Sequence, residues 1–349
     1  MTSLPRSVLV IKPSSFGDIV QALPVLAALR RAWPGARIDW MVKPEWAGLL
    51  EDHPLIDQLV LLPRALAAWP RLLTRLRAAG YDLVIDLQGL LRSGLLSRIT
   101  GAPVRVGFAD GREGSPWCYN QRVQIQNRAA HAVERYLELV RSLGVAVGDA
   151  VTFPLPWWKE EQRWVKRLLA EAMAGEAKTV CVIHAAARWK TKRWPAERYA
   201  EVADWLIARK RCLVVLVGGI DQADQVSRMV DRMRERPLNL VGQTTLGQLG
   251  VLLQQANLVV TNDSGPMHVA AAVATPVVAI FGPTDPRKVG PFGSGHVVLK
   301  RTVDCSRCRR NRCVQDLSCL KAITTEDVEG AVEQLLNSNV ARAQAEQNV

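Results

Sequence analysis

Short apolar runs alternate along the chain with longer stretches whose apolar residues recur at helical spacing, and that alternation predicts most of the architecture. Ser7–Ile11 reads as a strand, after which Ile19, Leu23, Leu26 and Trp33 mark one face of a helix. Further strands are predicted at 38–42, 59–62 and 83–86, with a helix over 66–79 between the last two. Repeated strand and helix units imply a parallel sheet with right-handed crossovers.

The pattern breaks at Phe153, Pro154, Leu155, Pro156, Trp157 and Trp158, where two prolines each deny a ladder hydrogen bond and favour extended backbone. A linker placed there divides the chain into 1–158 and 159–349. Alternation restarts with strands predicted at 179–183, 212–217, 238–241, 258–261 and 277–281, and helices over 196–208, 222–234, 246–255 and 266–273. The fold class is therefore α/β, with two Rossmann-like, doubly wound parallel-sheet domains. Thr324, Thr325, Glu326 and Asp327 resemble a capping box that opens a terminal helix through Val328, Ala331, Val332 and Leu335. The polar tail after Asn337 is expected to fray.

Composition refines this picture. The 349 residues are 48% hydrophobic and 22% charged, as in globular proteins. No run approaches the roughly 18 to 20 apolar residues that cross a bilayer, and no cleavable leader precedes the first strand, so a cytoplasmic protein is expected. Lys and Arg outnumber Asp and Glu by 45 to 33, a net +12 that suits an anionic ligand or an anionic membrane surface. Arg188, Lys190, Lys192 and Arg193 form one local concentration, and Arg307, Arg309, Arg310 and Arg312 another. A solvated basic face accounts for either without a ligand.

Candidate chemistry falls at predicted strand ends, where a doubly wound sheet binds its ligands. Ser14, Ser15, Phe16, Gly17 and Asp18 follow the first strand, so Asp18 is either a general base or a helix cap. The segment has neither the glycine spacing of a dinucleotide fingerprint nor the lysine of a phosphate loop. Asp86, Gln88 and Gly89 follow another strand, and His131 and Arg135 stand four apart on a helix face, where they suit a surface pair. The basic cluster from Arg188 to Arg193 precedes Trp194 and Pro195 at a helix start, which suits a diphosphate. Most specific is the turn Asn262, Asp263, Ser264, Gly265, where a buried strand meets a helix whose first amides are free for an anion and His268 stands close by.

Cys118, Cys181 and Cys212 are solitary, whereas Cys305, Cys308, Cys313 and Cys319 share one short segment. Four thiolates form the ligand set of a structural Zn or Fe centre. Unliganded thiols or a disulfide are the alternatives.

These motifs, taken in order, resemble glycosyltransferase family 9, the ADP-heptose lipopolysaccharide heptosyltransferases. The likeness is carried by IKPSSFGDIVQALPVLAALRRAWPGARIDW, VIDLQGLLRSG, HAVERYLELVRSLG, KRWP and NDSGPMHVAAAVATPVVAIFGPTDP. GREGSPWCYN is more like the type I enzymes, and DCSRCRRNRC more like type II and other members. The resemblance implies a GT-B fold with an N-terminal acceptor domain and a C-terminal ADP-sugar domain, and transfer with inversion. It implies Asp18 as base and Lys192 as stabiliser of the leaving diphosphate. Asp263, Ser264, Gly265 and His268 would bind the donor, with Arg188, Thr244 and Asp224 beside them, while Ser14, Ser15, Gln88 and Arg92 would serve the acceptor. No cofactor is implied for catalysis. The partners implied are an ADP-sugar and an acceptor of the lipid A-Kdo type, with peripheral attachment to the anionic inner membrane compatible with the charge and nucleic acid absent. Where type I members carry two threonines before the lysine, this chain has Ala186, Ala187 and Arg188, so donor contacts there differ. Two other readings compete: a relative that glycosylates autotransporter proteins, for which a cysteine-bound metal would suit, and a nucleotide- or lipid-binding module without turnover.

Overall fold

A computed structural model describes residues 4–156, 158–173, 177, 179–303 and 312–347, with side chains described through 338. The chain divides into two compact units, Met1–Trp157 and Trp158–Val349.

The first unit runs β1 (Ser7–Ile11), α1 (Phe16–Ala32), β2 (Arg37–Val42), β3 (Gln58–Leu61), α2 (Trp69–Ala78), β4 (Leu83–Asp86), α3 (Leu91–Ile99), β5 (Val104–Phe108), β6 (Gln121–Val123) and α4 (Ala132–Arg141). Its strands form one parallel sheet in the order β3-β2-β1-β4-β5-β6. Ile11 pairs with Met41 on one side and with Asp86 on the other, which places β1 and β4 at the point where the chain reverses direction across the sheet. Val8, Leu9, Val10 and Ile11 are fully buried, as expected for a strand covered on both faces.

The predicted helix over 66–79 is split into a 3-10 turn at Leu66–Ala68 and α2, with Pro70 in the first turn of α2, where its missing N–H costs nothing. β5 and β6 were not predicted. Arg105 and Gly107 interrupt the apolar signal of the first, and β6 spans only three residues, too few to show a period. The amide of Arg135 donates to the carbonyl of His131 at 3.1 Å. His131 caps α4 by accepting from the amide of Val133 at 3.2 Å, and Arg135 turns to Asp110 at 3.0 Å.

The second unit comprises α5 (Lys159–Ala172), β7 (Thr179–His184), α6 (Ala196–Ala208), β8 (Cys212–Leu216), α7 (Ala223–Val230), β9 (Leu238–Asn239), α8 (Leu246–Gln255), β10 (Leu258–Asn262), α9 (Gly265–Ala272), β11 (Val277–Phe281), α10 (Pro286–Val289), β12 (Val297–Lys300), α11 (Ser318–Lys321) and α12 (Thr325–Gln347). Its parallel sheet has the order β12-β11-β10-β7-β8-β9, so the reversal falls between β7 and β10. The expected capping box forms: Asp327 accepts from the amide of Thr324 at 2.9 Å, and the Thr324 hydroxyl accepts from the amide of Asp327 at 3.2 Å. Val328, Val332 and Leu335 then close the core beside Trp194 and Tyr199. The helix continues to Gln347 instead of fraying after Asn337, because the Ala, Arg, Gln and Glu that follow are good helix formers. Among the described residues, no helix is long and apolar enough to cross a membrane.

Candidate functional site

Each sheet presents a carboxyl edge at its reversal point, which is where open α/β sheets bind ligands. In the second unit that edge is built from the ends of β7 and β10 and the loop after β11. Asn262 fastens it. Its side-chain oxygen accepts from the amide of Trp194 at 3.1 Å, and its amide nitrogen donates to the carbonyl of Ala185 at 3.0 Å, so the basic loop after β7 is held against the end of β10. The chain after β11 passes so near this loop that a Cβ on Gly282 would lie 2.7 Å from the carbonyl oxygen of Thr191. Only glycine leaves that room.

The result is an ion pair of Lys192 Nζ with Asp263 Oδ2 at 2.6 Å, with the two side chains 16% and 5% exposed. The Thr284 hydroxyl donates to the same carboxylate oxygen. An ammonium has three protons, so Lys192 keeps donors for a second anion. Ser264 stands at the N-cap position of α9 with its hydroxyl turned to His184 and the carbonyl of Asn262, and the first helical residues are Gly265 and Pro266. Free amides at that helix start attract negative charge.

Behind the pair, His184 Nδ1 lies 3.1 Å from Ser264 Oγ, and His184 Nε2 lies 3.1 Å from Gln222 Oε1. The Gln222 oxygen also accepts from the amide of Gly219 at 3.1 Å. It therefore needs the proton on Nε2 of the imidazole, which leaves Nδ1 to accept from Ser264. Burial pushes the His184 pKa down to about 4, against a smaller upward pull from Gln222 and Asp221, so the ring is neutral at neutral pH.

His268 is buried in the first turns of α9, within the same edge. Arg188 is exposed, with its guanidinium 5.6 Å from the Trp189 ring centroid. Asp224 follows β8 in the first turn of α7, and Thr244 lies in the loop after β9, so they stand one and two strands outward from β7.

In the first unit, Asp18 sits in the opening turn of α1. Its Oδ2 accepts from the amide of Ser15 at 2.9 Å and from the Ser15 hydroxyl at 2.6 Å, so it does cap the helix. Ser14 is half-buried and Ser15 exposed. Beside them Lys12, directly after β1, is 3% exposed, with Nζ 5.2 Å from the Tyr136 ring centroid. Burial pulls its pKa down, but its hydrogen bond and electrostatic coupling to Tyr136, together with the carboxylates of Asp18 and Asp86, outweigh that and the net shift is upward. Lys12 therefore stays an ammonium.

Asp86 is fully buried and committed to structure. It accepts from the amides of Gln88 at 2.8 Å and Gly89 at 3.2 Å, and from the Tyr119 hydroxyl at 2.7 Å. Tyr119 crosses Gly107 to reach it, where any Cβ would lie 2.4 Å from the ring. Gln88 Oε1 is buried without a hydrogen-bond partner, and Arg92 is exposed on α3.

Lys12, His184, Tyr119 and Thr284 are the participants that motif reading missed. For the first two a signal existed, since each is a polar residue at the end of a buried strand, the rule that selected Asp18 and Asp86. Tyr119 and Thr284 arrive from distant loops and carry no local mark.

Of the four clustered cysteines, Cys305 and Cys308 lie outside the described residues. Cys313 and Cys319 line one hollow with Lys300 and Arg301, and Cys313 Sγ accepts from the amide of Leu317 at 3.2 Å. Among the described residues, no three His, Cys, Asp or Glu side chains gather as a metal site.

The chain is similar to known proteins over most of its length. A family model described as Glycosyltransferase family 9 (heptosyltransferase) matches residues 69–318. Lipopolysaccharide heptosyltransferase 1 of Pseudomonas aeruginosa is 29% identical over 321 residues, covering 88% of this chain and 87% of that protein. The crystal structure of a family 9 glycosyl transferase from Veillonella parvula superposes with a TM-score of 0.83 at 25% identity, covering 95% of this chain and 97% of the other. ADP-heptose lps heptosyltransferase II of E. coli gives 0.79 at 26% identity, covering 95% and 99%.

Proposed function

The chain belongs to glycosyltransferase family 9, and from that premise we propose that it moves heptose from ADP-L-glycero-D-manno-heptose to the Kdo/heptose inner core of lipopolysaccharide, with inversion at the anomeric carbon. Its two six-stranded parallel sheets with flanking helices are of the GT-B type. The observation that carries the reading is the Lys192–Asp263 pair at the start of α9, on the reversal edge of the second sheet.

Inverting transfer needs a base for the acceptor hydroxyl and stabilisation of the departing diphosphate, with no covalent intermediate. Asp18 takes the first role and receives the proton as the acceptor oxygen attacks. The ammonium of Lys12 attracts the Asp18 carboxylate. Lys192 and the first amides of α9 take the second role, meeting the charge that grows on the diphosphate as the bond to the sugar breaks. Asp263 holds Lys192 in place through one oxygen, and Ser264, Gly265 and His268 complete the donor turn, with Arg188, Thr244 and Asp224 toward the nucleotide. Ser14, Ser15, Gln88 and Arg92 serve the acceptor, for which the unpartnered Gln88 oxygen offers a hydrogen-bond acceptor to a sugar hydroxyl.

No cofactor takes part in these steps. Cys305, Cys308, Cys313 and Cys319 belong to the proposal as a structural Zn or Fe site, since four thiols in one short segment are the ligand set of such a centre and Cys313 and Cys319 line one hollow. Metal analysis of purified protein checks this, and fewer than one Zn or Fe per chain removes it. The enzyme is read as cytoplasmic, held peripherally at an anionic inner-membrane surface. Protein side chains are not favoured as acceptor, because the matched relatives are lipopolysaccharide heptosyltransferases.

The deciding experiment incubates the protein with ADP-heptose and either Kdo-lipid A or heptosyl-Kdo-lipid A, and reads ADP and the acceptor mass. One heptose added to one of these is expected. Failure with both acceptors and every ADP-sugar sinks the reading.

A further inference from the structure

The outward face of α3 carries two exposed leucines among its arginines. Leu91 and Leu95 fall on one stripe and are 39% and 45% exposed, and Trp117, on the turn Ser115–Cys118, is 77% exposed. That turn presses against α3, since a Cβ on Gly94 would lie 3.1 Å from Cys118 Cβ, and the indole and the two leucines therefore share a surface. Cations frame it. The Arg122 guanidinium lies 5.6 Å from the Trp117 ring centroid, and exposed Arg98 continues the Leu91–Leu95 stripe near Cys118. The nearby acid, Glu113, is engaged by the amide of Leu91 at 3.3 Å. α3 starts directly after the β4 loop, so the surface adjoins the carboxyl edge where Gln88 and Arg92 stand.

We propose that this face seats the first unit on a bilayer surface rich in anionic phospholipid headgroups. Trp117, Leu91 and Leu95 enter the boundary between headgroups and acyl chains, where an indole is at home, and Arg98 and Arg122 meet lipid phosphates. Either signal alone gives marginal attachment; an apolar ridge with a basic rim supplies both, on a chain of net charge +12. A second copy of the chain fits less well, because a twofold contact would set the arginine rim against its own charge. The proposal rests on the heptose-transfer reading, since it brings the acceptor edge to a lipid-borne sugar.

Flotation of the whole protein with vesicles of phosphatidylcholine alone, or with about a third phosphatidylglycerol, tests it. Wild type is expected to float with the anionic vesicles only and to be released by salt. Leu95→Ser with Trp117→Ser, and separately Arg98→Gln with Arg122→Gln, are expected to lower the bound fraction about tenfold. Wild type that stays with the unbound fraction, or variants that float as wild type does, overturns the proposal. So does a wild-type dimer in light scattering that the variants dissociate, which makes the face a contact between copies. ADP release with a deacylated acceptor in solution is expected to be equal in wild type and variants, and loss in the variants assigns these residues to the site itself. Wild type inactive in that assay counts against heptose transfer, and flotation still judges the surface.

Discussion

Lys192 Nζ lies 2.6 Å from Asp263 Oδ2, a contact between a loop after β7 and the turn after β10, 71 positions apart in the chain. The two residues had separate expected roles, one on a diphosphate and one in a donor turn. Their pairing gives Asp263 a mechanical task as well. It fixes the ammonium at the start of α9, so that the charge a leaving group meets is already in position and no reorganisation is needed during reaction.

Replacing Lys192 by Met is expected to lower kcat about 10²- to 10³-fold in an ADP-release assay, the usual effect of losing one preorganised donor. It also strands a carboxylate that is 5% exposed, so unfolding free energy in urea is expected to fall by about 3 kcal/mol. Adding Asp263→Asn removes the stranded charge. The double variant is expected to regain stability while staying inactive, and a double variant with restored turnover denies Lys192 its role.

Asp18 is both cap and proposed base, and Asp18→Asn separates the two. Asparagine keeps an oxygen to accept from the amide and hydroxyl of Ser15, so stability is expected to change by less than about 1 kcal/mol. It cannot take a proton, so kcat/KM is expected to fall by roughly 10²- to 10⁴-fold. Thermal melting and ADP release, measured on the same sample, decide the matter. Near wild-type turnover would leave the cap as the whole of its function.

Lys12→Met bears on the same base by another route. The ammonium beside Asp18 favours the ionised carboxylate, so its removal raises the pKa of the base and moves the acidic limb of the kcat/KM profile to higher pH. An unmoved limb means that Lys12 does not act on Asp18.

The two sheets were legible because fully buried parallel strands such as β1, β7, β10 and β11 are unbroken apolar runs. Two of the four edge strands, β6 and β12, were harder: they are only three and four residues long, and their place follows from pairing with β5 and β11. In the candidate site, residues next to strand ends could be read in one dimension, which is why Asp18, Asp263 and Ser264 could be singled out as candidates. Thr284 and Tyr119 could not, because what matters is the loop crossing that brings them to Asp263 and Asp86, and that depends on room left by Gly282 and Gly107.

The Tyr119–Asp86 bond gives a stability prediction independent of turnover. Tyr119→Phe leaves a fully buried carboxylate with two amide donors in place of three groups, and is expected to cost about 1 to 3 kcal/mol in urea unfolding. Gly107→Ala forces the ring itself to move, since the new Cβ would lie 2.4 Å from it, and is expected to cost more than Tyr119→Phe. The reverse order would mean that the hydroxyl contact, and not the packing of the ring over Gly107, holds this corner.

His184 makes the fold sensitive to acid in a window that can be assigned. Its pKa is lowered from 6.5 to about 4 in the folded protein, so the native state prefers the neutral ring and binds fewer protons than the unfolded chain. The stability this contributes is therefore fully present above pH 6.5 and is lost as pH falls toward 4, by about 3 kcal/mol in total. The physical cause is a buried imidazole: protonation would bury a charge, while the contact with Ser264 would only reverse, Nδ1 donating to the hydroxyl and the hydroxyl to the carbonyl of Asn262. His184→Asn cannot titrate, so its stability curve is expected to be lower than wild type at pH 7 and to run flatter between 6.5 and 4. Urea unfolding at a series of pH values gives the difference between the two proteins directly, which removes the carboxylates common to both. Parallel curves would show that His184 is solvated enough to titrate normally, and the neutral ring behind the donor turn would have to be abandoned.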